Sequence, residues 1–177
     1  MLSEAQRVAL LRIARDAVTH HLHGLPCGSY SEDLPSASGV FVTIKRVGEL
    51  RGCLGVLQMR GTLAEEVARC ARDSATQDPR FPPMTADELT AISLEISVLA
   101  PLEEIDPLDD TAILIGRHGL VVEDGRRRGL LLPQVAEEWG WDREQFLRQT
   151  CRKALLPDDA WRNGARVYRF DAQVFRD

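Results

Sequence analysis

The chain has 177 residues, a formal net charge of −5, and 44% hydrophobic against 28% charged residues. That length fits one domain, residues 1–177 with no separable linker, large enough to bury a core without a disulfide or metal staple. Mean hydropathy is −0.19 and no apolar run approaches the ~20 residues that span a bilayer, so no membrane role is expected. The acidic balance argues against a nucleic-acid coat or a polybasic membrane binder.

Ser3-Glu4-Ala5-Gln6 is a capping box that opens a helix, with Val8, Leu11, Ala14, Val18 and Leu22 as its expected buried stripe. Gly24 stops it, and residues 26–38, rich in Pro, Gly and Ser, read as loop. Val40-Phe41-Val42-Thr43-Ile44 is a strand by its β-branched and aromatic content. Arg46-Val47-Gly48-Glu49 turns the chain into a second strand from Leu50 to Leu57. Thr62-Leu63-Ala64-Glu65 opens a helix to about Thr76, with Leu63, Val67, Cys70, Ala71 and Ala75 inward. The prolines of Asp78-Pro79-Arg80-Phe81-Pro82-Pro83 exclude helix and central strand. Thr85-Ala86-Asp87-Glu88 starts a short helix, and residues 92–99 alternate as a half-buried strand.

Pro101 and Pro107 bracket a connection, and Ile113-Leu114-Ile115 fits either helix or strand. Gly119 to Glu123 and Arg128 to Leu132 form a hairpin about Asp124-Gly125. Pro133 suits the first turn of a helix through Trp139. Asp142 caps the next helix, with Phe146, Leu147, Thr150, Cys151 and Ala154 inward. Arg166 to Phe170 is a last strand, and Val174-Phe175 docks the terminus. Hairpins without regular strand–helix alternation give an α+β fold, a mainly antiparallel sheet with flanking helices.

The chemistry concentrates at Leu50-Arg51-Gly52-Cys53-Leu54-Gly55. Two glycines weaken a strand unless a bulge or a close approach of backbone or ligand requires them. One reading is a thiol beside bare backbone, with Arg51 attracting an anion and the amides near Gly52 and Gly55 holding an oxyanion. The other is a buried cysteine in a glycine-kinked strand. A reactive thiol needs a base, and His118, in Gly116-Arg117-His118-Gly119, is the candidate. His20 and His23 have the i, i+3 spacing of a shared metal pair, but they also suit the cations of a helix C-terminus. Arg80 and Phe81 stand between prolines, either presented to a pocket or part of a stiff connector. Glu95 and Ser97 share the polar face of their strand, and Arg126-Arg127-Arg128 is a basic turn. The four cysteines, Cys27, Cys53, Cys70 and Cys151, lack zinc or iron–sulfur spacing. No metal or cofactor is expected, and the thiols should be reduced. Met1-Leu2-Ser3-Glu4 has no leader pattern, so the cytoplasm is the expected compartment.

Leu50-Arg51-Gly52-Cys53-Leu54-Gly55 resembles the LRGCIG signature of the AMMECR domain family, whose prokaryotic members are called AmmeMemoRadiSam system protein A. The resemblance extends in order through residues 39–43, Asp78 to Pro83, Glu95 to Leu99, His118-Gly119-Leu120, residues 129–136 including Gln134, Trp141 to Lys153, and Tyr168 to Phe175. Leu54 stands where the family has isoleucine, and Ala154-Leu155-Leu156 lacks the glycine usual after the family's Lys-Ala. The resemblance implies two sublobes with a cleft lined by the signature strand, and a gene association with a Memo-like protein and a radical SAM protein as partners.

On these grounds Cys53 is expected to be nucleophile or covalent carrier and His118 the general base. Arg51, Gly52, Gly55, Arg80, Phe81, Glu95 and Gln134 are the expected substrate contacts, the substrate being a small molecule or a protein. A non-catalytic accessory module stands as the alternative. Nucleotide or nucleic-acid base modification through Arg126 to Arg128 is a weaker one.

Overall fold

The structure is a computed structural model that describes residues 2–30 and 34–177. Of the expected loop over residues 26–38, residues 31–33 lie outside the described residues, as does Met1 of the N-terminal reading; the remainder has no regular structure before strand β1. The fold is α+β with antiparallel pairing throughout the recorded strands. The chain divides into two compact units, residues 1–99 with 173–177, and residues 100–172. Among the described residues no helix is long and apolar enough to cross a membrane.

The first unit contains helix α1 (Glu4–Leu22), strands β1 (Gly39–Arg46) and β2 (Glu49–Val56), helix α2 (Leu63–Thr76) and strand β3 (Ile92–Leu99). The strands run in the order β2-β1-β3. Strict alternation along β1 sends Val40, Val42 and Ile44 into the core with Leu94 and Ile96 of β3, and leaves Phe41, Thr43 and Lys45 on the opposite face. Ser3, Thr62 and Thr85 all start helices through reciprocal capping boxes, the last opening a 3-10 helix over Ala86–Ala91.

Of the expected stripe of α1, Ala14 and Val18 are buried and Leu11 and Leu22 pack partly buried against the core; Val8 alone faces outward. Leu10, Ile13, Ala14, Ala17 and Val18 are buried, whereas Val8 is 56% exposed. The full stripe is wider than the expected one, since Leu10, Ile13 and Ala17 complete an i, i+3, i+4, i+7 pattern with Ala14 and Val18.

The second unit contains β4 (Glu103–Ile105), β5 (His118–Asp124), β6 (Arg127–Leu131), α3 (Pro133–Glu138), α4 (Arg143–Lys153) and the strand β7 (Arg166–Arg176), whose last residues belong to the first unit. Its core joins Leu120 and Val122 of β5, Val167 of β7, and Phe146, Leu147 and Cys151 of α4. Residues 113–115 form neither helix nor strand. Strand β4 carries Glu-Glu-Ile, too polar and short to stand out in sequence, and is defined by pairing with β7. The last strand continues past Phe170 to Arg176, so Val174 and Phe175 extend it.

The β5–β6 turn sits one residue later than expected. Asp124 pairs with Arg127, leaving Gly125-Arg126 as the loop, and only Gly125 has positive φ (58°). A leading glycine of this kind belongs to a type II′ turn, whereas Asp-Gly would have formed a type I′.

Helix ends expose one departure from the usual chemistry. After α3, Gly140 (φ 61°) takes the left-handed position, and Trp141 N–H returns to the Ala136 carbonyl at 2.9 Å. The same wrap after α4 brings Leu156 N–H to the Cys151 carbonyl at 3.0 Å, but the left-handed residue is Leu155 (φ 59°), 81% exposed. A side chain there crowds the following carbonyl. Val47 (φ 52°), in the β1–β2 turn, carries the same strain without glycine's freedom. Leu155→Gly and Val47→Asn are each expected to raise stability by about 1 kcal/mol, read as a higher urea midpoint at unchanged m-value.

Candidate functional site

Cys53 lies in β2, the edge strand of the first unit's sheet, and is only partly exposed. The register places Cys53, Thr43 and Glu95 side by side across β2, β1 and β3. Thr43 Oγ1 donates a hydrogen bond to Cys53 Sγ at 3.2 Å. Glu95 pairs with Lys45 Nζ at 3.1 Å. The row therefore reads thiol, hydroxyl and carboxylate, with an ammonium beside the carboxylate.

The main chain of Cys53 is held at both ends. Its N–H donates to Asp78 Oδ2 at 2.9 Å, and its carbonyl accepts from the Arg80 guanidinium at 3.3 Å. Arg80 also grips Asp78 through Nε (2.9 Å) and Nη2 (2.7 Å). The Asp78 side chain is 1% exposed. The Arg80 hydrogen bonds, reinforced by the Cys53 N–H, hold its carboxyl far below the ordinary carboxylate range despite burial. The rigid Asp78-Pro79-Arg80 turn thus acts as a clamp on the Cys53 peptide. Phe81 lies under the Arg80 guanidinium, 5.5 Å from ring centroid to Cζ, a cation–π contact.

The two glycines face the protein's own atoms. A Cβ on Gly52 would stand 2.0 Å from the Ser74 carbonyl oxygen of α2. On Gly55 it would meet the Phe41 ring and the Val40 carbonyl, both at 2.4 Å. Gly52 therefore admits a helix backbone and Gly55 an aromatic ring. Ser74, buried in that contact, accepts the Leu54 N–H at 2.8 Å and donates to the Val42 carbonyl at 2.7 Å. The amides of Cys53 and Leu54 are consumed by side chains, so neither is free to hold an oxyanion.

Arg51 is the extra residue of a β-bulge: Ile44 pairs with Gly52 and Lys45 with Leu50, which turns its side chain aside. It makes a two-pronged contact with Glu88, Nε and Nη2 each at 2.9 Å, and donates to the Pro82 carbonyl at 2.9 Å. These bonds hold the Glu88 carboxyl below its ordinary range. Arg51 ties the bulge to the segment ahead of β3. Sequence reading missed Thr43, Ser74, Asp78 and Glu88; capping boxes and strand alternation explain two of these positions without revealing the polar partners they meet.

The remaining expected residues lie in the second unit. His118 begins β5 and is 6% exposed. Its Nδ1 accepts the Leu114 N–H at 3.1 Å, so in the neutral ring Nε2 carries the proton, 3.8 Å from Asp171 Oδ1. That tautomer donates rather than accepts, the reverse of what a general base offers from Nε2. Burial, then Arg169, pulls the imidazole below its ordinary range against the opposing pull of Asp171. Gln134 is half-buried in α3, and the basic turn at Arg126–Arg128 is exposed. Among the described residues no group of three or more His, Cys, Asp or Glu side chains is placed to hold a metal ion.

Fold and site define an α+β protein of two units, the first displaying a clamped thiol on a bulged edge strand. A family model described as AMMECR1 matches residues 11–175, and the chain belongs to that family. It is 45% identical to a protein of Methanothermobacter thermautotrophicus over 185 residues, covering 99% of this chain and 96% of that one. A Thermofilum pendens protein is also 45% identical, with 98% and 91% covered. The crystal structure of the uncharacterized protein PH0010 from Pyrococcus horikoshii matches with a TM-score of 0.82 at 41% identity, covering 96% of this chain and 90% of that chain.

Two outcomes test these contacts. Gly52→Ala drives a methyl into a main-chain oxygen that cannot rotate away, and should cost about 3 kcal/mol in urea denaturation. Stability near the wild-type value would show that α2 can shift. A histidine whose folded pKa is depressed leaves the unfolded chain binding more protons, so stability should fall as pH drops below about 6.5. His118→Asn should flatten that slope. The lowered carboxylates, Asp78 and Glu88, weaken the fold only in stronger acid, below about pH 4.

Proposed function

We propose that this AMMECR1-family chain is a cysteine-dependent enzyme or enzyme subunit with Cys53 as its nucleophile. The observation that carries this reading is the Thr43 hydroxyl donating to the Cys53 sulfur at 3.2 Å, on a strand whose peptide is clamped by Asp78 and Arg80. A hydroxyl donor stabilises negative charge on the sulfur more than it stabilises the neutral thiol. The clamp fixes the direction of attack without side-chain entropy to lose. A substrate lying over Thr43 is bracketed by the thiol and by Glu95, which is the carboxylate of that row suited to take the proton. Attack by the sulfur on a carbonyl carbon forms a C–S bond as the C=O π pair moves onto the oxygen, the thiol proton passes to Glu95, and Lys45 holds the carboxylate in place at 3.1 Å. Arg51 serves as the strut that holds the bulge.

The Memo-like and radical SAM proteins of the family's gene association are the partners this reading implies. Four free cysteines favour a reducing, cytoplasmic setting. The alternative, a non-catalytic accessory module, draws support from one observation: the guanidinium groups of Arg51 and Arg80 are both committed to internal carboxylates.

Iodoacetamide labelling read by mass spectrometry separates the two. Burial raises Cys151 and pushes Cys70 up to about 11, so only Cys27 and Cys53 compete. In a Cys27→Ser background Cys53 should react faster at pH 7 than the same thiol in the urea-unfolded chain. Thr43→Val should slow it, and Cys53→Ser should change stability by less than about 1 kcal/mol. A Cys53 slower in the folded state than in the unfolded one assigns the thiol to packing and removes the catalytic proposal.

A further inference from the structure

We infer, on the reading of Cys53 as a nucleophile, that Lys45 is the donor that receives the carbonyl oxygen during attack, and that the substrates of this site are esters or thioesters of a carboxylic acid. Attack on a carbonyl carbon puts negative charge on an oxygen, and a site that lowers this barrier keeps hydrogen-bond donors about 2.7–3.1 Å from it. Most donors around the sulfur are spent. The Cys53 and Leu54 amides serve Asp78 and Ser74. The guanidinium groups of Arg51 and Arg80 serve Glu88 and Asp78. The Thr43 hydroxyl is on the sulfur itself.

Lys45 lies two residues beyond Thr43 on β1, on the same face of the sheet, and its side chain is 35% exposed. By register it stands opposite Ser93, one row away from the line of Cys53, Thr43 and Glu95. Its ammonium bonds Glu95 Oε2 at 3.1 Å, a diagonal contact that brings the two charges together between the rows. An ammonium has three N–H donors, and among the described residues Glu95 is the one acceptor that Lys45 Nζ meets. Two donors are left for a ligand. An acyl group lying over Thr43, its carbon against the sulfur, can turn its oxygen toward this ammonium.

The pairing with Glu95 makes the donation selective for the transition state. Before attack, the charged Glu95 carboxylate holds the ammonium. During attack the C–S bond forms, the C=O π pair moves onto the oxygen, and the thiol proton passes to Glu95. The carboxyl is then neutral, its hold on Lys45 weakens, and the new oxyanion takes its place beside the ammonium. One positive charge faces one negative charge at each stage, and the contact with substrate strengthens only as the bond to sulfur forms. On collapse the π bond re-forms, the bond to the leaving group breaks, and the departing alcohol or thiol takes its proton from Glu95. Cys53 is left as a thioester that water hydrolyses, and Lys45 returns to Glu95. Displacement at a saturated carbon develops no oxyanion and gains nothing from Lys45.

Two electrophiles test this on the full chain in a Cys27→Ser background, with the product at Cys53 read by peptide mass spectrometry. 4-Nitrophenyl acetate acylates the thiol through an oxyanion, and iodoacetamide alkylates it without one. The ratio of the two rates cancels any change in the amount of thiolate. Lys45→Met, which keeps the aliphatic stem, should lower that ratio by about a hundredfold. Lys45→Arg, which keeps the charge, should stand well above Lys45→Met. Lys45→Gln carries the same expectation as Lys45→Met and replaces it if the methionine variant melts early. A ratio unchanged on loss of the charge, or equal in the charged and uncharged variants, overturns the inference and leaves Cys53 as a nucleophile. Wild-type Cys53 that alkylates but does not acetylate overturns it too. Failure of wild-type Cys53 to react with either reagent removes the nucleophile reading along with it.

Discussion

The first unit depends on one close approach: the main chain of Gly52 against the Ser74 carbonyl of α2, where a Cβ would stand 2.0 Å from that oxygen. Because the helix comes so near, the Ser74 hydroxyl can reach two strands at once, accepting from Leu54 and donating to Val42. The chain leaving α2 then arrives beside Cys53, where Asp78 and Arg80 close on its peptide. The second unit uses the same device. A Cβ on Gly129 of β6 would lie 2.3 Å from the Ala154 nitrogen at the end of α4. In both units a strand gives up one side chain so that a helix backbone can seat on it, and tight packing of this kind leaves little room for substitution.

That use of glycine decides how the signature strand should be understood. Residue types in the hexapeptide point to bare backbone around a sulfur, and the backbone is indeed bare. What fills the space is Ser74 on one side and the Phe41 ring on the other. The access that Cys53 has comes instead from the pleat, which places its side chain on the sheet face opposite the core, in line with Thr43 and Glu95. A glycine pair in a strand reports that something approaches closely; the pattern alone does not say whether that neighbour is foreign or part of the chain.

Elements governed by local chemistry were legible in the sequence. The capping boxes at Ser3 and Thr62, the cap at Asp142 and Pro133 at a helix start all lie where expected, because the groups they satisfy are three or four residues away. The α2 stripe was legible because its polar and apolar faces are distinct. In α1 the apolar residues are more numerous than one stripe needs, and only the rest of the fold decides that Val8 stays exposed while Leu10, Ile13 and Ala17 are covered. Strand β4 was invisible because its existence rests on a distant partner, β7. The same reason hid the site: Asp78 and Glu88 are ordinary loop and cap residues in sequence, and become the anchors of Cys53 and Arg51 only through contacts 25 and 37 residues away. The tautomer of His118 is set by the Leu114 amide, which no pattern of residue types displays.

Strand β2 borders the sheet, a position that ordinarily invites another chain to add itself by main-chain pairing. Here the donor and the acceptor of Cys53 that face that border are already occupied by Asp78 and Arg80, while Ser74 bridges the Leu54 amide to Val42 of the neighbouring strand β1. A polypeptide seeking the thiol cannot zip onto this rim as an additional strand. Any group that reaches the sulfur comes over the pleated surface, past Thr43, Glu95 and Lys45.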